Sequence, residues 1–375
     1  MVKIMASIVK TPSDNFPIIK PIYLTANTIM SHILAAQQPL IINGQPRFGY
    51  FADSLPIINS QDFIYETPFG HTRSEFQKWL GYKEFQYFGG MSDKLIFGCA
   101  IAHLRYVAVA FVYVYDIEQR ELWSKSWRSP LGLGFELANN PCQGKSQFRI
   151  PAIVNIEMDY QNHPRQKSLM IKCKDLELHA TMPEHNLEPM SICTQTGYNG
   201  WTYTSKSAGQ ALQGFVSLKG QVFDLERIKA YGSLDFSTGY MRHETWWNWA
   251  CSAGEIKSGA RQGQAVGLNL STGVNETSFS ENCLWLNGQR YALNHAQFNF
   301  DRKDTFKTWH IDANNGQVQL QFRPMGMHRE KVKAIYLNTH FRQMFGEFSG
   351  CVLLNGEEIC LDGLKGFVED QYITW

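Results

Sequence analysis

Three features predict an all-β protein: Asn-Gly turn signals repeated along the 375 residues, short runs rich in β-branched and aromatic residues, and very little helical periodicity. Asn-Gly occurs at 43, 199, 287, 315 and 355. This dipeptide favours the left-handed backbone of two-residue hairpins when alternating strands flank it. Short strands at such regular spacing imply a sandwich or a barrel. With 44% hydrophobic and 13% aromatic residues the chain can bury a large core, and its length suits two domains. The segment from 140 to 200 carries Pro141, Pro151, Pro164, Pro183 and Pro189 and is the expected junction. The expected domains are therefore an N-terminal barrel with an irregular leading segment over 1–190 and a C-terminal barrel over 191–375.

In chain order, the N-terminus is broken by Pro12, Pro17 and Pro21 and lacks the continuous apolar stretch of a signal peptide. HTRSEFQKWLG offers about two turns of helix, with a capping box from Thr72 to Glu75 and a stop at Gly81. The run from Leu95 to Glu118 approaches membrane-spanning length, but His103 and Arg105 at its centre and its β-branched residues make it a hairpin. In YVAVAFVYVY both alternating faces are apolar, so this strand is covered on both sides. Lys219-Gly220 joins GFVSL to QVFDL, CLWL and RYAL bracket Asn287-Gly288, and WHIDA and QVQLQF bracket Asn315-Gly316. In MRHETWWNWACSAG, alternation puts His243, Thr245, Trp247, Trp249 and Cys251 on one face and Arg242, Glu244, Trp246 and Asn248 on the other. The Asn355-Gly356 turn sets Cys351 opposite Cys360, as two reduced thiols or as a redox pair. Glu369 and Asp370 are read as anchors of the last strand.

Charge and motifs exclude several functions. Lys and Arg total 35 against 34 Asp and Glu, which leaves no basic footprint for nucleic acid. The G-x-S-x-G elbow, the Walker A loop, H-E-x-x-H and a strand-following G-x-G-x-x-G are all missing. The eleven His and eight Cys form no metal-ligand spacing, so neither a metal nor a cofactor is expected. Cysteines without C-x-x-C suit a reducing cytoplasm.

The stretch LDFSTGYMRHETWWNWACSAG, then ETSFSENCLWLNGQRYAL and the closing FGEFSGCVLLNGEEICLDGLKGFVEDQYITW, resemble a bacterial family known as a domain of unknown function, number two thousand eight hundred and four. EFQKWLGYKEF and LIFGCAIAHLRYVAVAFVYVYDIE extend the resemblance to nearly the whole chain. More distantly, WTYTSKSAGQALQGFVSLKG followed by AYGSLDFSTGY is similar to AttH-like proteins and to the carotenoid hydratases (hydroxyneurosporene synthase group). That similarity implies two lipocalin-like, calycin-type barrels, and it aligns Asp235 with the proton-donating Asp of the hydratases. The hydratases flank that Asp with histidines, whereas Leu234 and Phe236 stand here.

Two functions follow as expectations. The first is binding of an apolar, lipid-like or isoprenoid molecule in an aromatic-lined barrel pocket, with Trp201, Tyr203, Tyr240, His243, Thr245, Trp247 and Trp249 as ligand contacts. The second is an acid-catalysed hydratase or cyclase in which Asp235 protonates an alkene, Glu281 is a second candidate acid, and tryptophan π faces stabilise the carbocation. The environment of Asp235 separates them. Paired with Arg242 or Lys257 it ionises and is structural; isolated among rings it has a raised pKa and can donate. No nucleic acid and no integral membrane segment enter either reading.

Overall fold

In the computed structural model the described residues are 33–274, 279–313, 315–333 and 337–375, and they fold almost entirely into antiparallel strands. Among them, Glu75–Gly81 is the one α-helix. Its cap differs from expectation: Ser74, not Thr72, is the N-cap, and Ser74 and Gln77 complete the capping box reciprocally. Both registers fit the sequence pattern; Ser74 turns into the extended conformation that a cap requires (φ −64°, ψ 158°).

The turns explain much of the strand order. Asn43, Asn287 and Asn355 have φ near +50° and their following glycines φ from +77° to +87°, the two-residue hairpin geometry. Lys219-Gly220 does the same with φ of 49° and 88°. Asn199-Gly200 behaves differently: Thr196 pairs with Gly200, so the loop is 197–199 and Gly197 takes the left-handed position. The apolar run is a hairpin of Leu95–His103 and Val107–Asp116, turning at Arg105 with φ 75°.

Three sheets make three layers. The nine-stranded sheet lies in the middle and includes Lys83–Met91, Leu95–His103, Val107–Asp116, Met190–Thr196, Gly200–Ala211 and Tyr231–Gly239. One of its faces, with Phe88, Ile101, Ala110 and Val112, packs on the seven-stranded sheet through Ile156, Met158, Leu169 and Leu178. The other face, with Tyr87, Ala100, Tyr113 and Tyr115, packs on Trp249, Trp285, Phe345 and Phe367 of the ten-stranded sheet. That third sheet begins at Glu244 and curls around its own core of Leu268, Leu284, Trp309, Phe322, Met344 and Phe348. The two apolar faces of Val107–Asp116 thus serve two different cores, as period-2 alternation requires of a strand between layers.

The middle and third sheets approach backbone to backbone at one place. A bulge between Ala208 and Gln210 puts Gly209 at φ 87°, where a Cβ would lie 2.7 Å from the Gly267 nitrogen. A Cβ on Gly267 would in turn lie 2.4 Å from the Ala208 carbonyl. Only glycine permits both the conformation and the approach. Among the described residues no helix is long and apolar enough to cross a membrane.

Candidate functional site

A short distance along the strands from that glycine contact, the two sheets part and leave a chamber of about 100 Å³. It opens between the sheets, not within the curl of either. Alternation along Gly200–Ala211 turns Thr202, Thr204 and Lys206 into the chamber, and along Tyr231–Gly239 it turns in Asp235 and Ser237. The facing strand Glu244–Glu255 contributes Thr245, Trp247 and Trp249, and its neighbours contribute Ser271 and Glu369; Glu281 comes from the loop before Cys283–Leu286. A second chamber of about 120 Å³, lined by Phe111, Phe341 and Ile373 among others, shares the walls Phe85, Ala102, Leu104, Trp247, Glu369 and Trp375 with the first.

One end of the first chamber is ionic. Lys206 and Asp235 are directly paired across adjacent strands, with Nζ 3.3 Å from Oδ2, and the same Nζ is 2.9 Å from Glu281 Oε2 on the opposite sheet. The ammonium also lies 4.4 Å from the centre of the Trp249 ring. All three ionic side chains are buried. Ser237 Oγ donates to Asp235 Oδ1 at 2.7 Å, and Ser271 Oγ donates to Glu281 Oε1 at 2.7 Å. Trp249 Nε1 donates to Asn269 Oδ1, whose amide donates onward to the Glu281 carbonyl oxygen. Burial alone would lower the Lys206 pKa, but the two carboxylates outweigh it and hold the amine well above its ordinary value. Burial raises the Asp235 pKa, against the opposing pull of Lys206.

Glu369 stands apart from that ion cluster. Its register partners are Trp249 on one side and Gln343 on the other. Gln343 Nε2 donates to Oε1 at 2.7 Å and Trp247 Nε1 donates to Oε2 at 3.1 Å. Burial pushes its pKa up to about 7, against the lowering effect of these two hydrogen bonds. A carboxyl near neutrality in an apolar wall can exchange a proton under physiological conditions. Asp370, on the opposite face of the strand, is paired with Arg342.

Of the residues expected at the site, Asp235, Glu281, Thr245, Trp247 and Trp249 line the chamber together. Trp201, Tyr203 and Tyr240 lie instead in the core on the other face of the nine-stranded sheet, Trp201 and Tyr240 against Phe63 and Tyr82, and His243 is exposed. The reason is phase: Thr202 and Thr204 take the chamber face, so Trp201 and Tyr203 take the other. The same rule turns Leu234 and Phe236 away from Asp235 into that core. Neither Arg242 nor Lys257 is the partner of Asp235; Arg242 donates to the Gly273 carbonyl and Lys257 pairs with Asp93. Sequence reasoning missed Lys206 and the place of Glu369 in the chamber. Lys206 did carry a signal, a charge on the same alternating face as Thr202 and Thr204 within a strand otherwise poor in charge. Among the described residues, no three His, Cys, Asp or Glu side chains are grouped as metal ligands would be.

Residues 33–375 match the family described as "Domain of unknown function (DUF2804)". No curated protein sequence matches the chain. Solved structures similar to it include two from different organisms. One is an AttH-like protein from Nitrosomonas europaea, at 13% identity and a TM-score of 0.45 over 78% of this chain and 92% of that one. The other is kievitone hydratase from Nectria haematococca, at 10% identity and a TM-score of 0.44 over 78% of this chain and 88% of that one.

Proposed function

This chain belongs to the DUF2804 family of domains of unknown function, and we propose that it binds a small, largely apolar molecule, lipid-like or isoprenoid, in the chamber between its nine- and ten-stranded sheets. The observation that carries this reading is a pair of adjoining cavities walled by Phe85, Ala102, Leu104, Trp247 and Trp375, with polar groups gathered at one end. Small-molecule sites have this composition, apolar walls with a few convergent polar groups. A dry apolar cavity of ~150 Å³ accommodates a benzene ring. Each chamber is smaller than that, and the two together suit a ligand longer than one ring. Filling the shared wall tests the reading. Ala102→Phe leaves every charged group in place, and it should abolish saturable quenching of tryptophan fluorescence by long-chain amphiphiles. Equal binding by wild type and variant would sink it.

A second reading is favoured by the raised pKa values of two buried carboxyls, Asp235 and Glu369. Here the site adds water to an alkene, or cyclises it. A carboxyl proton passes to one alkene carbon, Trp247 and Trp249 stabilise the cation formed at the other, and water adds there while returning a proton to the carboxylate. Asp235 is the proposed donor and Glu281 the second acid, now tied to it through Lys206. Asp235→Asn distinguishes the roles. A general acid loses on the order of 10²-fold in turnover with the fold intact. A structural ion-pair partner loses about 3 to 5 kcal/mol of stability through the stranded Lys206. A cytoplasmic location belongs to the same proposal, supported by eight cysteines that are all unbonded. Fractionation of cells expressing the tagged chain tests it.

A further inference from the structure

We propose that the ionic end of the chamber selects the ligand's polar group: it accepts a hydroxyl or an ammonium and rejects a carboxylate. This rests on the binding reading above and specifies the class of ligand. At that end Asp235 and Glu281 share a single cation, Lys206, and Glu369 adds a third carboxyl to the same chamber wall, so carboxyls there outnumber ammonium groups three to one. The Lys206 amine is already divided between two carboxylates and the Trp249 face, which leaves an incoming anion a poor cation to meet. An anion would also be desolvated beside the carboxylates of Asp235 and Glu281, and above about pH 7 beside that of Glu369 as well.

A hydroxyl or ammonium meets acceptors instead. Carboxylate oxygens accept more than one hydrogen bond, and Asp235 Oδ1 has a single serine donor. The Trp249 face is held by Lys206, but the Trp247 ring, which lines both chambers, favours a cation there. An independent sign of a missing donor lies in the adjoining chamber. Gln371 lines it, is 95% buried, and its amide donates to Thr339 while its Oε1 accepts nothing among the described residues. Gln343 beside Glu369 likewise has an unfilled Oε1. Unfilled buried acceptors call for a ligand that brings hydrogen-bond donors.

The remaining charged groups on the walls do not reverse the balance. Lys83 lies at the far end of the first chamber, where its amine donates to the Leu80 and Leu104 carbonyl oxygens, and burial lowers its pKa to about 8. Glu84 is paired with Arg105. Arg128 and Glu330 line the second chamber, Arg128 as an exposed side chain. Glu369 adds a pH dependence. Below about 7 it is neutral, and above that it adds a negative charge that favours an ammonium further.

The test uses decanol, decylamine and decanoate as probes of equal chain length, each below its micelle concentration. Binding is read from tryptophan fluorescence of the full chain at about pH 6 and about pH 8.5. Decanol and decylamine should saturate, decanoate should bind on the order of tenfold more weakly, and decylamine should tighten several-fold at the higher pH. In Glu369→Gln that pH gain should shrink to the part that the loss of charge on Lys83 supplies, and an undiminished gain would overturn the role given to Glu369. Decanoate binding as tightly as decanol would overturn the head-group rule and leave apolar binding standing. If no probe saturates, the binding reading itself fails, and the rule with it.

Discussion

Lys206 is the residue on which the site depends. Its ammonium is the single cation between two buried carboxylates from different sheets, so it acts both as a charge balance and as a cross-link between layers. Removing it as Lys206→Met leaves Asp235 and Glu281 buried without a counter-charge. We expect a loss of about 3 to 5 kcal/mol, measured from denaturant midpoints at constant m. Adding Asp235→Asn and Glu281→Gln to that variant should recover a large part, because the cost lies in unpaired charge and not in lost contacts. Glu369 behaves oppositely with pH. Its folded-state pKa is raised from 4.5 to about 7, so the native state binds the extra proton between those values. Stability from this group is therefore fully present at low pH and falls as pH rises through that window, by on the order of 3 kcal/mol in total. Glu369→Gln should flatten this part of the stability profile and be more stable than wild type at about pH 8, where the native acid is ionised. A variant profile parallel to wild type would show that Glu369 does not titrate there.

Among the elements, the bulged strand Gly200–Ala211 matters most. It supplies Lys206 and, three residues further on, Gly209, at which the sheets touch. Gly209→Ala forces a side chain into a left-handed conformation and against the Val266–Gly267 backbone. We expect it to lower stability by roughly 1 to 3 kcal/mol and to weaken ligand binding, since the same contact sets the spacing of the chamber walls. A thermal melt together with probe binding checks both. The hairpin of Asn338–Leu354 and Glu357–Cys360 carries the cysteine pair in the register expected from Asn355-Gly356, with Cys351 opposite Cys360 and the sulfurs 2.9 Å apart. Burial and the neighbouring thiol push Cys351 up to about 12, which keeps it protonated and slow to oxidise. Titration of the unfolded chain without reductant should therefore find all eight thiols.

For the whole molecule, the chamber exists because three sheets stack with a shared middle layer. Between Met190 and Gly239, the strands Met190–Thr196, Gly200–Ala211 and Tyr231–Gly239 join the middle sheet while Gln213–Leu218 and Gln221–Asp224 join the seven-stranded one, and the chain passes to the ten-stranded sheet only at Glu244. Two independently folding barrels divided near 190 remain a proposal, and fragments test it. Fragments 34–190 and 191–375, co-expressed and separately expressed, should be compared with fragments cut at 241, and cooperative unfolding of an isolated fragment identifies a folding unit. Much of this architecture was legible in the chain: the all-β class, the hairpins at Asn43, Asn287 and Asn355, the doubly covered strand after Tyr106, and the shared face of Thr245, Trp247 and Trp249. Those features follow from φ preferences and a two-residue period, which are local and survive without knowledge of neighbours. Asp235 was singled out by the resemblance to the hydratases and Glu281 by its place before a hairpin strand, and both line the chamber. What local rules could not supply was the meeting of Lys206 with Glu281 across 75 positions of sequence, the phase that sends Trp201 and Tyr203 to another core, and a cavity between sheets instead of within one. Strand periodicity gives two faces but does not say which layer each will meet. That choice is made by side-chain packing among strands far apart in the chain, and the buried ion cluster forms only once the packing has brought them together.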